Sequence, residues 1–337
     1  MRSHSTFAIA LLLVAAACRG APPQRAAQER SEPWTHSPAD VSHGEAPVGQ
    51  AGTPAPRDPR APAPEAARVH RVRFEMRHAR LDIAPGVQYE AWTFDGRVPG
   101  PVLRVTEGDS IDFTLVNRAP IPHSMDFHAA QIAPSRAYVN VMPGDSVHYG
   151  FVARVPGAFL YHCGTAPVAM HIANGMYGAL IVDPRPARQA AREFVFVQSE
   201  FYPGARPDSG TVYSLDWNRL LGLAPEYVVF NGVAQQYADH PIRARPGELL
   251  RLFVVNAGPN RISAFHVVGA IFQRVYVDAV DAHALEGVQT MDVPVGGGMV
   301  FEVRLAEPGI YPFVTHAFAD ATKGAVGMFA AESAPSP

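Results

Sequence analysis

From Val69 onward the chain is punctuated by short runs in which apolar and polar positions alternate. Ile111-Asp112-Phe113-Thr114-Leu115-Val116 is one such run. Val102-Leu103-Arg104-Val105 and Ala179-Leu180-Ile181-Val182 are shorter and more apolar, and Gly, Pro, Asn and Asp bound the runs. A period of two lays alternate side chains on one face of a strand, and the turn residues end it. Helical periodicity is scarce. Many short strands at this spacing predict an all-β chain folded as a β-sandwich, not a parallel α/β sheet.

The pattern occurs twice. Glu107-Gly108-Asp109 leads through a strand to Asn117, with His128 eleven residues later. Pro246-Gly247-Glu248 leads through Leu250-Arg251-Leu252-Phe253-Val254-Val255 to Asn256, with His266 ten residues later. Pro156-Gly157 precedes the run to His162-Cys163, as Pro308-Gly309 precedes the run to His316. Gly175-Met176-Tyr177-Gly178 is echoed by Gly327-Met328-Phe329. Two tandem copies of one sandwich explain the repeats, with a boundary near residues 185–192. The expected domains are 68–187 and 188–332. A length of 337 residues is enough for both.

The first part of the chain has a different texture. Residues 1–18 read as an export signal: Arg2, an apolar run from Phe7 to Val14, then Ala15-Ala16-Ala17-Cys18. Small residues before a cysteine resemble a bacterial lipoprotein cleavage box, and ordinary cleavage after a small residue is the alternative. The apolar run is short for a membrane-spanning helix. Export to the periplasm or cell envelope is therefore expected, with membrane attachment only through a lipid at Cys18. Residues 19–67, rich in Ala, Pro, Arg, Gln and Glu, are expected to be a disordered tether.

Composition narrows the function. A formal charge of -3 gives no case for nucleic acid. The two cysteines are Cys18 and Cys163, so a disulfide framework is excluded unless they pair. Hydrophobic residues make up 47% of the chain, enough for most of it to fold.

The chemistry concentrates around Cys163. His171 and Met176 follow it at eight and thirteen residues, and His123 lies upstream. Two imidazoles, a thiolate and a weak axial thioether suit a blue-copper electron-transfer site. Singly, these residues would be a core thiol, a capping histidine and a core methionine. His162 precedes the cysteine and should face the opposite way, since successive strand side chains do. It can therefore serve a second metal. His128, His162 and His316 would supply three imidazoles and leave a fourth position open for a small ligand. Phe127 flanked by Met125 and Ala129 on one face would leave Asp126 and His128 on the other. Asp126 and His266 are candidate proton carriers, or else a loop-fixing aspartate and a core histidine. His70, His78, His148, His240 and His283 lack partners at ligand spacing and read as structural or surface residues.

These segments carry a resemblance. Trp92-Thr93-Phe94-Asp95-Gly96-Arg97-Val98-Pro99-Gly100-Pro101 resembles the opening motif of multicopper oxidases and their relatives. Pro122-His123-Ser124-Met125-Asp126-Phe127-His128, Tyr161-His162-Cys163 through Gly175-Met176, Phe265-His266-Val267-Val268-Gly269 and Tyr311-Pro312-Phe313-Val314-Thr315-His316 resemble segments of copper-containing nitrite reductases. The resemblance spans about residues 68–332. It implies two cupredoxin-like Greek-key domains, a homotrimer and two coppers per chain. It implies type 1 copper on His123, Cys163, His171 and Met176, and type 2 copper on His128, His162 and the His316 of a neighbouring subunit. Asp126 and His266 would be the acid–base pair, and Val268 would shape the substrate pocket. The implied reaction is one-electron reduction of nitrite to nitric oxide and water, with a cytochrome c or a small cupredoxin as donor.

One departure stands out. Many members have one more residue between the cysteine and the loop histidine, and an aromatic before that histidine, where this chain has Met170. The change bears on donor docking. Two rival functions are a two-domain laccase-like oxidase and a non-enzymatic electron carrier. The first needs paired His-x-His motifs and a His-Cys-His segment, whereas this chain reads His162-Cys163-Gly164. The second leaves His128, His266 and His316 without a purpose.

Overall fold

The computed structural model describes residues 52–278 and 283–333. The expected signal sequence, Cys18 and most of the expected tether lie outside the described residues. Eight strands build the first half: β1 (Val69–Ala84), β2 (Val87–Phe94), β3 (Leu103–Thr106), β4 (Ser110–Asn117), β5 (Asp126–Phe127), β6 (Ser146–Val152), β7 (Gly157–His162) and β8 (Tyr177–Asp183). The second half contains β9 (Arg192–Phe201), β10 (Val212–Tyr213), β11 (Tyr227–Phe230), β12 (His240–Ala244), β13 (Leu249–Gly258) and β14 (Ser263–Val267). It continues with β15 (Phe272–Val277), β16 (Ala284–Val288), β17 (Thr290–Val293), β18 (Gly298–Arg304), β19 (Gly309–Thr315) and β20 (Val326–Ala331). The helices are single turns or little more: α1 (Pro134–Ala137), α2 (Val168–Ala173), α3 (Trp217–Leu221), α4 (Gln236–Asp239) and α5 (Phe318–Ala321).

These strands make two sandwiches. In the first, the sheet β10-β2-β1-β4-β6 faces the sheet β3-β8-β7-β5. In the second, β11-β9-β13-β18-β15-β16 faces β12-β20-β19-β14-β17. Each encloses its own apolar core. Phe74, Phe113, Phe127 and Tyr161 fill the first; Phe196, Phe265, Phe301 and Phe313 fill the second. A third cluster joins the two, bringing Leu160, Ala179 and Ile181 against Val195, Val197, Phe253 and Val255. That joint explains why β8 and β13 read as nearly continuous apolar runs: a strand buried on both faces has no polar side to show. β10, from the second half, pairs in parallel with β2 of the first.

The sequence repeat is a structural repeat. The buried Asn117 side chain donates to the Ile121 and Val141 carbonyls at 2.7 and 2.8 Å and accepts from Ala119 N–H at 2.8 Å. Asn256 donates to the Arg261 and Val293 carbonyls at 2.8 and 3.1 Å and accepts from Gly258 N–H at 3.0 Å. Each Asn thus ties the loop after an inner strand, satisfying backbone groups that burial would otherwise leave costly.

One expectation is corrected. The described end of the expected tether is docked rather than disordered. Ala61 N–H donates to Glu193 O at 3.1 Å, and Val195 N–H to Pro59 O at 2.7 Å. Arg57 N–H donates to Gln236 Oε1, and Arg104 to Pro62 O. Proline lacks an N–H but keeps its carbonyl, so a Pro-rich strand can still lie along the open edge of β9.

Candidate active site

The two clusters are positioned by one strand. β7 ends at His162, and Cys163 follows it. β5 pairs with β7, placing Asp126 opposite His162. Alternation along β5 behaves as the pattern predicts. Met125, Phe127 and Ala129 are buried, whereas Asp126 is half-buried and His128 exposed.

The buried cluster consists of His123, Cys163 and His171. Cys163 Sγ lies 3.2 Å from His171 Nδ1 and 3.9 Å from His123 Nδ1, and the two Nδ1 atoms are 3.0 Å apart. Metal–nitrogen and metal–sulfur bonds of roughly 2.0 and 2.3 Å at tetrahedral angles require ligand atoms roughly 3.3–3.5 Å apart, so this donor set fits a single ion. His171 sits buried in the last turn of α2. Met176 is fully buried beside them. Its N–H donates to His171 O at 3.1 Å, and its carbonyl accepts from Cys163 N–H at 3.0 Å.

Burial sets the electrostatics. It holds His123 well below the ordinary imidazole value, with His171 and His78 adding to the effect. It lowers His171 to about 4. Both rings are therefore neutral, the form that binds a metal. Burial pushes the Cys163 thiol up, against amide and hydroxyl groups of Ser124 and Thr165 that favour the thiolate. Ser124 N–H points at Sγ from 3.3 Å, and Ser124 Oγ accepts from Gly164 N–H and the Thr165 hydroxyl.

The second cluster is Asp126, His128 and His162. His128 Nε2 and His162 Nε2 are 3.0 Å apart, and Asp126 Oδ2 is 3.9 Å from His162 Nε2. His162 Nδ1–H donates to Cys163 O at 2.9 Å, which leaves the Nε2 lone pair facing His128. Two imidazole nitrogens face to face fit a shared cation better than each other. His128 falls below its ordinary value through desolvation and the facing His162, although its outer edge meets solvent.

His316 lies in the other sandwich, just past β19, and joins neither cluster. Its ring packs against His266, centroids 5.5 Å apart, and against Phe318 at 4.6 Å. His266 Nδ1–H donates to Gln289 O at 2.6 Å, with Thr290 Oγ1 at 3.3 Å. Val268, two residues on, is 42% exposed, so in a single chain it walls no closed pocket.

Several residues at these sites escape a reading by spacing. Trp92 packs edge-on against both imidazoles of the buried cluster, 4.8 Å from His171 and 5.6 Å from His123. His78 stacks on Trp92 at 5.2 Å and so belongs beside this cluster. Its signal was positional: Val72, Phe74, Met76 and His78 share the inward face of β1. Ser124, Thr165, Gln289 and Thr290 carried no signal of their own. His70 and His148 do take the structural roles expected, each bonded to an aspartate (Asp109 and Asp112).

Two sandwiches carry a buried thiol–imidazole cluster, joined through one peptide link to an imidazole cluster, an arrangement suited to two metal centres in one copper protein. The multicopper oxidase family profile matches residues 75–187. The chain belongs to the copper-containing nitrite reductase family. It is 38% identical to the copper-containing nitrite reductase of Neisseria gonorrhoeae, over 98% of this chain and 87% of that one. It is 33% identical to that of Alcaligenes xylosoxydans xylosoxydans, over 68% and 76%. Among solved structures, a copper nitrite reductase from Nitrosomonas europaea matches with a TM-score of 0.70 and 36% identity, over 78% of this chain and 94% of that one. A Cu-containing nitrite reductase from Thermus scotoductus SA-01 matches at 0.71 and 31%, over 78% and 62%.

Proposed function

We propose that this protein reduces nitrite to nitric oxide and water, taking up one electron and two protons. The observation that carries the reading is the adjacency of His162 and Cys163 between two clusters, one buried and one open. Copper would supply one-electron redox chemistry at the His123–Cys163–His171–Met176 set and a positive centre for an anion at the imidazole set (type 1 and type 2). Burial of Cys163 keeps solvent from the electron-accepting side. The Cys163–His162 peptide gives a covalent path between the sets. Asp126, on the same face as His128, stands where a proton can reach a bound nitrite oxygen. His266, oriented by Gln289 O, presents Nε2 as a second proton carrier.

The open cluster has two protein imidazoles, and His316 with His266 forms a second exposed half-site. Val268 and Phe318 leave apolar surface around that half. Both facts support a homotrimer in which His316 of one subunit completes the His128–His162 pair of the next, as a ring of heterologous contacts allows. We also propose two coppers per chain, domains at 68–187 and 188–332, export with lipidation at Cys18, and a cytochrome c or small cupredoxin as donor.

The test is nitrite-dependent nitric oxide release by copper-loaded protein, with metal content measured alongside. Two coppers per chain and nitric oxide are expected. Four coppers with oxygen consumption, or one copper and no turnover, would replace the proposal by the oxidase or the carrier reading.

A further inference from the structure

Around the buried cluster the two sandwiches correspond hydrogen bond by hydrogen bond. Cys163 N–H donates to Met176 O at 3.0 Å, and Met176 N–H to His171 O at 3.1 Å. In the second sandwich Thr315 N–H donates to Ala325 O at 3.2 Å, and Ala325 N–H to Asp320 O at 3.4 Å. His123 exchanges backbone bonds with Val141, whose carbonyl also accepts from the Asn117 side chain. Ser263 pairs with Val293, whose carbonyl also accepts from the Asn256 side chain. Ser124 N–H points at Cys163 Sγ from 3.3 Å, and Ala264 N–H donates to Thr315 Oγ1 at 3.1 Å. The glycines fix the same register: a Cβ on Gly178 would meet the Tyr161 ring, and one on Gly327 the Phe313 ring. The places of His123, Cys163, His171 and Met176 are thus held in the second sandwich by Ser263, Thr315, Asp320 and Ala325.

These replacements are polar where the core is otherwise apolar. Ser263 and Thr315 are 0% exposed and Asp320 1%. Ser263 Oγ and Asp320 Oδ1 have no protein partner. Asp320 Oδ2 accepts from Arg261 Nε at 2.9 Å. Burying polar atoms without partners is costly, so packing alone does not explain them. Ligand positions whose donors have changed do explain them. Phe94 stands opposite Met76 as Phe230 stands opposite Gln198. Two residues earlier on each strand, Trp92 is therefore matched by the smaller Val228, which lowers the crowding that two new imidazoles would meet.

We infer that the second sandwich carries a relic metal site at Ser263, Thr315, Asp320 and Ala325, whose backbone keeps the geometry of the buried cluster while its donors have changed. The inference rests on the ligand reading of His123, Cys163, His171 and Met176, and not on the reaction. Hydroxyls and a carboxylate are hard donors, whereas imidazole, thiolate and thioether suit copper. The native second sandwich therefore takes no copper of this kind. It takes one when the imidazole, thiolate and thioether donors are put back.

The experiment is run in a Cys163→Ala background, which removes the thiol of the first site. Ser263→His, Thr315→Cys, Asp320→His and Ala325→Met are added together, and the protein is loaded with copper. Cys163→Ala alone should lack the visible thiolate-to-copper absorption. If it keeps that colour, the ligand reading of the first cluster fails, and the relic with it. The combined variant should bind one copper more per chain than Cys163→Ala and regain the absorption. A combined variant that melts cooperatively but shows no such band overturns the relic. Should the combined variant fail to melt cooperatively, Thr315→Cys with Asp320→His in the same background decides the matter. Cobalt(II) should then give a thiolate-to-cobalt band that Thr315→Cys without Asp320→His lacks, because one thiolate alone does not make a site. No band, or equal bands in the two variants, would overturn the inference.

Discussion

At the scale of single residues, the chain keeps its imidazoles neutral by burying them. His171 titrates at about 4 because burial disfavours its charged form. Between pH 6.5 and 4 the unfolded chain binds a proton at His171 that the folded chain does not. The copper-free protein should therefore lose stability as pH falls through that window, by ~3 kcal/mol from this residue. His123, shifted the same way, adds to the slope. Thermal melting of copper-free wild type and His171→Gln checks it; parallel pH profiles would contradict the assignment. Asp126 and His266 lie outside the proposed ligand set. Asp126→Asn and His266→Ala should each retain two coppers per chain and lose roughly 10²- to 10⁴-fold in turnover. Wild-type turnover should fall as pH rises, because protons are consumed. A variant that turns over normally with its copper in place returns that residue to a packing role.

At the scale of elements, the fold depends on close approaches that the duplication repeats. A Cβ on Gly178 of β8 would run into the Tyr161 ring of β7, whose hydroxyl donates to Pro101 O at 2.6 Å. A Cβ on Gly327 of β20 would run into the Phe313 ring of β19. Neither ring can retreat through a packed core. Gly178→Ala and Gly327→Ala should each destabilise the protein by about 1–3 kcal/mol, the usual cost of overpacking. Denaturant midpoints measure this, and an unchanged midpoint would mean that the sheets have room to shift. Gly178→Ala should also disturb activity more, since Tyr161 precedes His162.

At the scale of the whole molecule, the single chain leaves its open cluster and its His266–His316 pair as separate exposed surfaces. If neighbouring subunits join them, His128→Ala and His316→Ala break different halves of the same site. Each variant alone should lose type 2 copper and activity while keeping type 1 copper. Mixed trimers should regain part of the activity, because some interfaces then pair two intact halves. Trimers shown to be mixed but still inactive would argue for a site completed within one chain.

The residues themselves determined much of this. Period-two alternation with turn punctuation specified strands, and the doubled Asn-to-His spacing specified two sandwiches. The Cys163, His171 and Met176 spacing specified a short ligand-bearing loop, whereas the short helix α2 that carries His171 was not legible in it. Alternation even told which way Asp126 and His128 face. Local pattern could not say what crosses from another element. Trp92 and His78 reach the buried cluster only through the β1–β2 pairing. Val141 meets His123 only because the loop after α1 folds back over the segment that follows β4. The docking of Pro59 to Pro62 depends on an open edge of β9 that composition does not reveal. Side-chain periodicity is written in neighbouring residues, whereas these contacts join residues far apart in the chain, and only the tertiary structure decides them.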